Sequence, residues 1–297
     1  MTLADFHHDL FDQRKKTSLS LIICYIGCML FQVSITFLLL GVFAGTLAGI
    51  FGIGGGLVIV PILHFAFKGL GFPEDHLMHL CVGTSLSTIF ITGMNSVHTH
   101  HRLKNIDWSI VKLMTPTVLL GTFIGGKLSG IISGDVLEKI FFIYVVVVSI
   151  KMWIDSRVES TSKETKKWLY SLFGLIIGIK SPLLGIGGGT ISIPFLTWRG
   201  FKVQHAVGVS AALGLPIAFM GSLMAIYNGQ GKVLPEYALG FVYWPAVLGI
   251  GLTSSFFARI GAKMSQQFPQ DKMRKGFALF LIAIAVKSFL TTWSVAK

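Results

Sequence analysis

Charge is what this sequence lacks. Only 13% of its 297 residues are Asp, Glu, Lys or Arg, against about 25% in a soluble domain. With 53% hydrophobic residues and a mean hydropathy of +0.72, that scarcity excludes an ordinary water-soluble globule. Acids are scarcest: there are 13, each in the N-terminal tail, a loop or the end of an apolar run. A relay of buried carboxylates is therefore not expected, and any proton movement falls to His64, His98 or water. The three cysteines (Cys24, Cys28 and Cys81) are odd in number and lie in or beside apolar segments, which excludes a disulfide framework. No His, Cys, Asp or Glu set has metal-ligand spacing, and no cofactor motif is present. Gly83-Thr84-Ser85 has no neighbouring His or acid in sequence, so no catalytic residue and no enzyme is expected.

What is present is a series of apolar runs about 20 residues long, the length a membrane-spanning helix needs. Alternating strands of barrel type are absent. The reading is an all-α polytopic membrane protein. The net charge of +12 sits in short connections between the runs, which argues for membrane topology rather than nucleic-acid binding.

One unit occurs twice. Gly52-Ile53-Gly54-Gly55-Gly56, with Pro61 after it, returns as Gly185-Ile186-Gly187-Gly188-Gly189 with Pro194, an offset of 133 residues. Over residues 41–63 against 174–196, nine of 23 positions are identical. Later positions (Gly125, Lys127, Asp135, Lys139) match Gly261, Lys263, Asp271 and Lys275 at an offset of 136. The organisation expected is a soluble tail (1–17), an extra N-terminal transmembrane helix (18–38), a first repeat (39–153), a linker (154–168) and a second repeat (169–297). Each repeat holds a Gly-rich re-entrant or broken helix, in pieces of about 10–12 residues too short to span alone. Three spans follow it: 79–98, 108–128 and 136–153 in the first repeat, then 203–227, 237–258 and 274–293 in the second. The basic patch Arg14-Lys15-Lys16 precedes the first run without a small-residue cleavage site, so that helix is expected to be retained.

Counting Lys and Arg by loop gives 17 on one side and five on the other. That asymmetry predicts a cytoplasmic N-terminus and an outside C-terminus. An odd number of crossings per half makes the repeats inverted, so the two Gly-rich units enter from opposite faces and meet near the midplane. Secondary transporters place their sites at such a repeat interface.

Helix-packing glycines such as Gly41, Gly45, Gly174 and Gly178 have a structural explanation, since small residues four apart let helices approach. Three consecutive glycines are costly inside a helix, about 1 kcal/mol each. An unwound turn leading into a short helix would expose N–H groups and the positive end of a helix dipole, which suits an anion. A purely structural turn stays open. The expected binding residues are Gly54, Gly55, Gly56, Gly187, Gly188 and Gly189, with Lys180 and Ser181 before the second turn and Thr84, Ser85 and Ser210 as neutral donors beside the turns. Lys180 lies in an apolar run without an acid at comparable depth, as does Lys287 in the last span. Either lysine could instead snorkel to the interface.

The two Gly-x-x-x-Gly…Gly-Ile-Gly-Gly-Gly-x-x-x-x-Pro units, with Val82-Gly83-Thr84-Ser85 and Val207-Gly208-Val209-Ser210 after them, resemble the sulfite exporter TauE/SafE family over about residues 38–293. The resemblance implies a duplicated helical permease in a bacterial plasma (inner) membrane, moving sulfite, sulfoacetate or a related organic anion, usually outward. A passive anion channel, or a permease for another small organic anion, remains the alternative. The partners implied are a small anionic substrate and the lipid bilayer, with a homo-oligomer open and no cofactor. The extra N-terminal helix and Lys180-Ser181-Pro182, where the first unit has Leu47-Ala48-Gly49, depart from a simple duplication.

Overall fold

The computed structural model describes residues 35–47, 55–154, 166–264, 275–276 and 278–286. Gly54, Lys287, Cys24, Cys28, the tail and most of the N-terminal helix and linker lie outside these. The helices are α1 (Ile35–Leu47), α2 (Gly56–Gly69), α3 (Glu74–Arg102), α4 (Trp108–Ile131), α5 (Gly134–Ile154), α6 (Lys167–Leu184), α7 (Gly189–Trp198), α8 (Val203–Asn228) and α9 (Trp244–Met264). A helical stretch, 278–286, is denoted α10.

By length and composition α3, α4 and α8 can each cross a membrane. The outer surface is apolar in stripes: Leu248, Leu252 and Phe256 on α9, and Ile143, Val147 and Ile150 on α5, are all exposed. Such stripes are the reverse of a water-soluble surface and suit a lipid face. Polar signals sit at the helix ends. The Asp107 side chain accepts from the Ser109 and Ile110 N–H groups at 2.9 and 3.3 Å, starting α4. Glu74 and Asp75 open α3, and His100, His101 and Arg102 close it, complementing the helix dipole.

The helices of the two halves are interleaved. Helix α6 packs against α4, and α3 packs against α8 and α9. The α4–α6 contact is backbone to backbone: a Cβ on Gly178 would lie 2.3 Å from the Val118 carbonyl oxygen, and one on Gly125 2.2 Å from that of Ile179. The same device recurs between α1 and α9, where a Cβ on Gly45 would lie 2.5 Å from Ser254 Cα. The first helix of each Gly-rich unit therefore packs on a helix of the other half. Small residues permit this close approach, and the dispersion contacts it creates are the main attraction available between helices in lipid.

Three details differ from the sequence-based expectation. Helix α6 has 18 residues and α2 has 14, so α6 is about 27 Å long at 1.5 Å per residue and not a stub. Helix α1 runs across the boundary set at residue 38. The span expected to begin at 237 begins at Trp244. Before it, Ala238–Leu239 (β1) and Val242–Tyr243 (β2) form a short antiparallel hairpin. This hairpin folds back on α3: Tyr243 N–H donates to Thr84 Oγ1 at 3.0 Å, and a Cβ on Gly83 would sit 2.2 Å from the Phe241 carbonyl oxygen. Its backbone groups find partners in protein, which is the condition for non-helical chain between spans.

Candidate functional site

The second Gly-rich unit ends α6 and begins α7, and the described part of the first begins α2. Gly185 closes α6 with φ +63°, and its N–H bonds the Ser181 carbonyl. That left-handed conformation is strained for any residue with a Cβ. A Cβ here would also meet Val82 Cα at 2.9 Å. Gly55, with φ +76°, precedes α2 in the same way. Neither α2 nor α7 has a side chain capping its N-terminus.

The two turns touch. A Cβ on Gly56 would lie 2.6 Å from the Gly185 carbonyl oxygen and 2.8 Å from Ile186 Cα. They leave no room for an anion between Gly56 and Gly185 in this conformation. Gly187, Gly188 and Gly189 are buried; Ile177 and Ile217 lie against Gly188, and Ile89 against Gly187. The turn is thus a packed barrier with apolar walls.

The hydroxyls expected to bind substrate are engaged with backbone or with another hydroxyl. Ser85 Oγ donates to the Gly185 carbonyl at 2.8 Å and fixes the second turn to α3. Ser181 Oγ donates to the Ile177 carbonyl at 2.7 Å within α6. Thr84 faces the hairpin, not the glycines. Ser210 Oγ on α8 is 2.8 Å from Ser192 Oγ, which lies 2.9 Å from the Gly188 carbonyl oxygen. The serine pair ties α7 to α8 next to the turn.

Lys180 stands at the edge of this assembly nearest α5. Its ammonium is partly buried and donates to the Tyr144 hydroxyl at 2.9 Å and to Thr190 Oγ1 at 2.5 Å. Tyr144 OH donates to Thr190 Oγ1 at 2.6 Å, and the ammonium stands 4.8 Å from the Tyr144 ring centroid. Among the described residues no carboxylate pairs with it. The lysine has therefore turned inward, toward the first turn of α7, instead of snorkelling out along its stem. The result is a cation, two hydroxyls and the positive end of a helix at one point.

Thr190 and Tyr144 were not singled out as binding residues from sequence. Thr190 directly follows the last glycine and could have been. Tyr144 sits within Phe141–Val148, where its hydroxyl is the one side-chain hydrogen-bonding group, a weak signal. None of the trio has a polar counterpart in the opposite repeat. At offsets of 133 and 136 the matching positions are Leu47, Leu57 and Phe280.

On the other side of α6 lies a narrow, open-mouthed cleft between α3, α4, α6 and α8. His79, Ser129, Asn228 and Phe241 line it, and it reaches Val82 and Pro182 beside Gly185. His79 Nε2 lies 3.0 and 3.1 Å from the Ser129 and Ile132 carbonyl oxygens, so it donates there. Pro182 is two residues from Lys180, about 200° around the helix. The cleft and the ammonium thus lie on opposite faces of α6.

Residues 37–288 match the profile of the family described as Sulfite exporter TauE/SafE. A probable membrane transporter protein of Haemophilus influenzae is 42% identical over 255 residues, covering 85% of this chain and 97% of its own. One of Methanocaldococcus jannaschii is 30% identical over 241 residues, 80% of this chain and 88% of its own. A third, YunE of Bacillus subtilis, is 26% identical over 223 residues, 68% and 81% of the two chains. No solved structure matches the chain. With both Gly-rich units and the Lys180 cluster inside the matched region, this chain belongs to the sulfite exporter TauE/SafE family of membrane transporters.

Proposed function

We propose that the protein is a secondary carrier for a small sulfur-containing anion, sulfite or an organosulfonate, working as an exporter. The observation that carries this is the Lys180 ammonium, partly buried, held by two hydroxyls at the start of α7 and unpaired with any carboxylate among the described residues. A cation kept in apolar surroundings without an acid is a functional group by default. Here its complement is an oxyanion, which can accept from the ammonium, from Thr190 and Tyr144, and from N–H groups at the head of α7.

In this reading the two glycine turns are the gate. Their contact at Gly56 and Gly185 separates the Lys180 face from the cleft lined by His79 and Asn228. Moving one half against the other would part the turns, uncover the Gly187–Gly189 N–H groups and pass the anion between the two sides. Inverted repeats, a cytoplasmic N-terminus and a plasma-membrane location complete the proposal, supported by the duplicated motif and the 17 to five split of basic residues.

The test is transport by the full chain in proteoliposomes across sulfite, thiosulfate, sulfoacetate and simple carboxylates. Saturable exchange of a sulfur oxyanion is expected, with the carboxylates weaker. Transport of carboxylates alone would remove the substrate class. Conductance far above carrier turnover in a planar bilayer would replace the carrier with a channel.

A further inference from the structure

The helix that starts at the first glycine turn carries a second buried ionisable group. His64, eight residues after Gly56 on α2, places Nε2 3.3 Å from Oε1 of Glu138 near the start of α5. The two side chains are 5% and 15% exposed. The acid assigned to a span end therefore turns into the protein. Phe65 and Phe142 stand edge-on to the imidazole, each 5.7 Å away between centroids. His64 Nδ1 is buried with no hydrogen-bond partner among the described residues.

We propose that His64 and Glu138 form a proton-binding site that couples proton movement to transport of the anion. The proposal rests on the carrier reading above. With Nε2–H donating to Glu138, the neutral imidazole leaves the Nδ1 lone pair free. A proton bound there converts the pair from a net charge of −1 to zero, and its release on the other side restores the charge; only that N–H bond forms and breaks. A one-unit change of charge at a buried site shifts the balance between packings where the surroundings are apolar, so the loaded and unloaded pairs favour different arrangements of α2 against α5.

The pair joins the two supports of the anion site. Helix α2 begins at the glycine turn that touches Gly185. Helix α5 carries Glu138 and, six residues later, Tyr144, which holds Lys180. A change of charge at the α2–α5 contact thus acts on both. Other ionisable groups stand near it among the described residues. Cys81 on α3 lies within electrostatic reach of Glu138. Lys68 on α2 is paired with Glu74 of α3 at 3.2 Å. Asp135 and Lys139 on α5 are exposed. The site belongs to one half: at the 133-residue offset His64 becomes Thr197, whose hydroxyl bonds the Ile193 carbonyl of its own helix.

The experiment uses the full chain in proteoliposomes with the membrane potential clamped at zero. The probe is whichever of sulfite, thiosulfate and sulfoacetate exchanges fastest. In wild type a pH gradient of about one unit should drive accumulation up to roughly tenfold at one proton per anion. Anion exchange at equal pH needs no net proton movement. His64→Asn and Glu138→Gln should lower the ratio of pH-driven accumulation to exchange by about fivefold or more, and Glu138→Asp should restore part of it. A wild type that exchanges the anion without responding to the gradient overturns the coupling. So does a His64→Asn variant that keeps the wild-type ratio, or one that is monodisperse and loses both activities equally. Absence of exchange in wild type with every probe removes the carrier reading itself, which separates the two failures.

Discussion

Lys180→Met separates a ligand-binding ammonium from one that only braces the fold. Methionine keeps an unbranched stem of similar length and removes the charge. The Tyr144 and Thr190 hydroxyls, 2.6 Å apart, remain bonded to each other, and no carboxylate is orphaned among the described residues. The substitution should therefore leave insertion and assembly intact. What it removes is a charge-assisted hydrogen bond to the anion, worth about 1.5–3 kcal/mol. That corresponds to roughly 10–150-fold in half-saturation concentration. Coulomb's law at about 4 Å in an effective dielectric of about 20 gives a gross attraction of about 4 kcal/mol, an upper limit. Tyr144→Phe removes one neutral hydrogen-bonding group and should cost about 0.5–1.5 kcal/mol, roughly two- to twelvefold. The two changes should be less than additive, because they share one cluster. The assay is initial exchange rate against anion concentration in proteoliposomes, with protein quantified and monodisperse. A Lys180→Met half-saturation within about twofold of wild type would refute the site.

Other perturbations probe the frame. Replacing the trio by its counterparts in the opposite repeat (Lys180→Leu, Thr190→Leu and Tyr144→Phe together) should yield a folded, inserted protein by gel filtration, with exchange abolished. Gly185→Ala should lower thermal stability in detergent, since a left-handed residue with a Cβ costs about 1–2 kcal/mol and the Cβ would meet Val82 Cα at 2.9 Å. Gly178→Leu should drive α4 and α6 apart and lose the monodisperse species, whereas Gly214→Ala, with nothing within 4 Å of its Cβ, should be neutral or slightly stabilising. Ser85→Ala should loosen the second turn by about 1 kcal/mol, read as a lower melting temperature with the anion half-saturation changed less than in Lys180→Met.

Much of the architecture is legible in the residues because lipid simplifies the rules. An apolar run of about 20 residues can hardly be anything but a helix there. Gly41, Gly45, Gly174 and Gly178 announce close helix contacts, and the duplicated Gly-Ile-Gly-Gly-Gly announces two breaks. Lys180 stands out because its charge is out of place in an apolar run, a property of the local sequence.

Tertiary structure decides what those signals touch. Nothing near Lys180 in sequence points to Tyr144, 36 residues away on α5; only packing of α5 beside α6 and α7 unites them. Ser85 and Ser210 read as free donors, yet the fold commits their hydroxyls to Gly185 and Ser192, because buried turns between helices need partners for their polar groups. Glu138 looks like an interfacial acid until α2 brings His64 against it. The sequence by itself determined a helical membrane chain with a duplicated glycine motif, since composition and helix periodicity are local. Which groups meet at the glycine turns was decided by long-range packing, because partners 36 to 100 residues apart are chosen by helix neighbours and not by spacing along the chain.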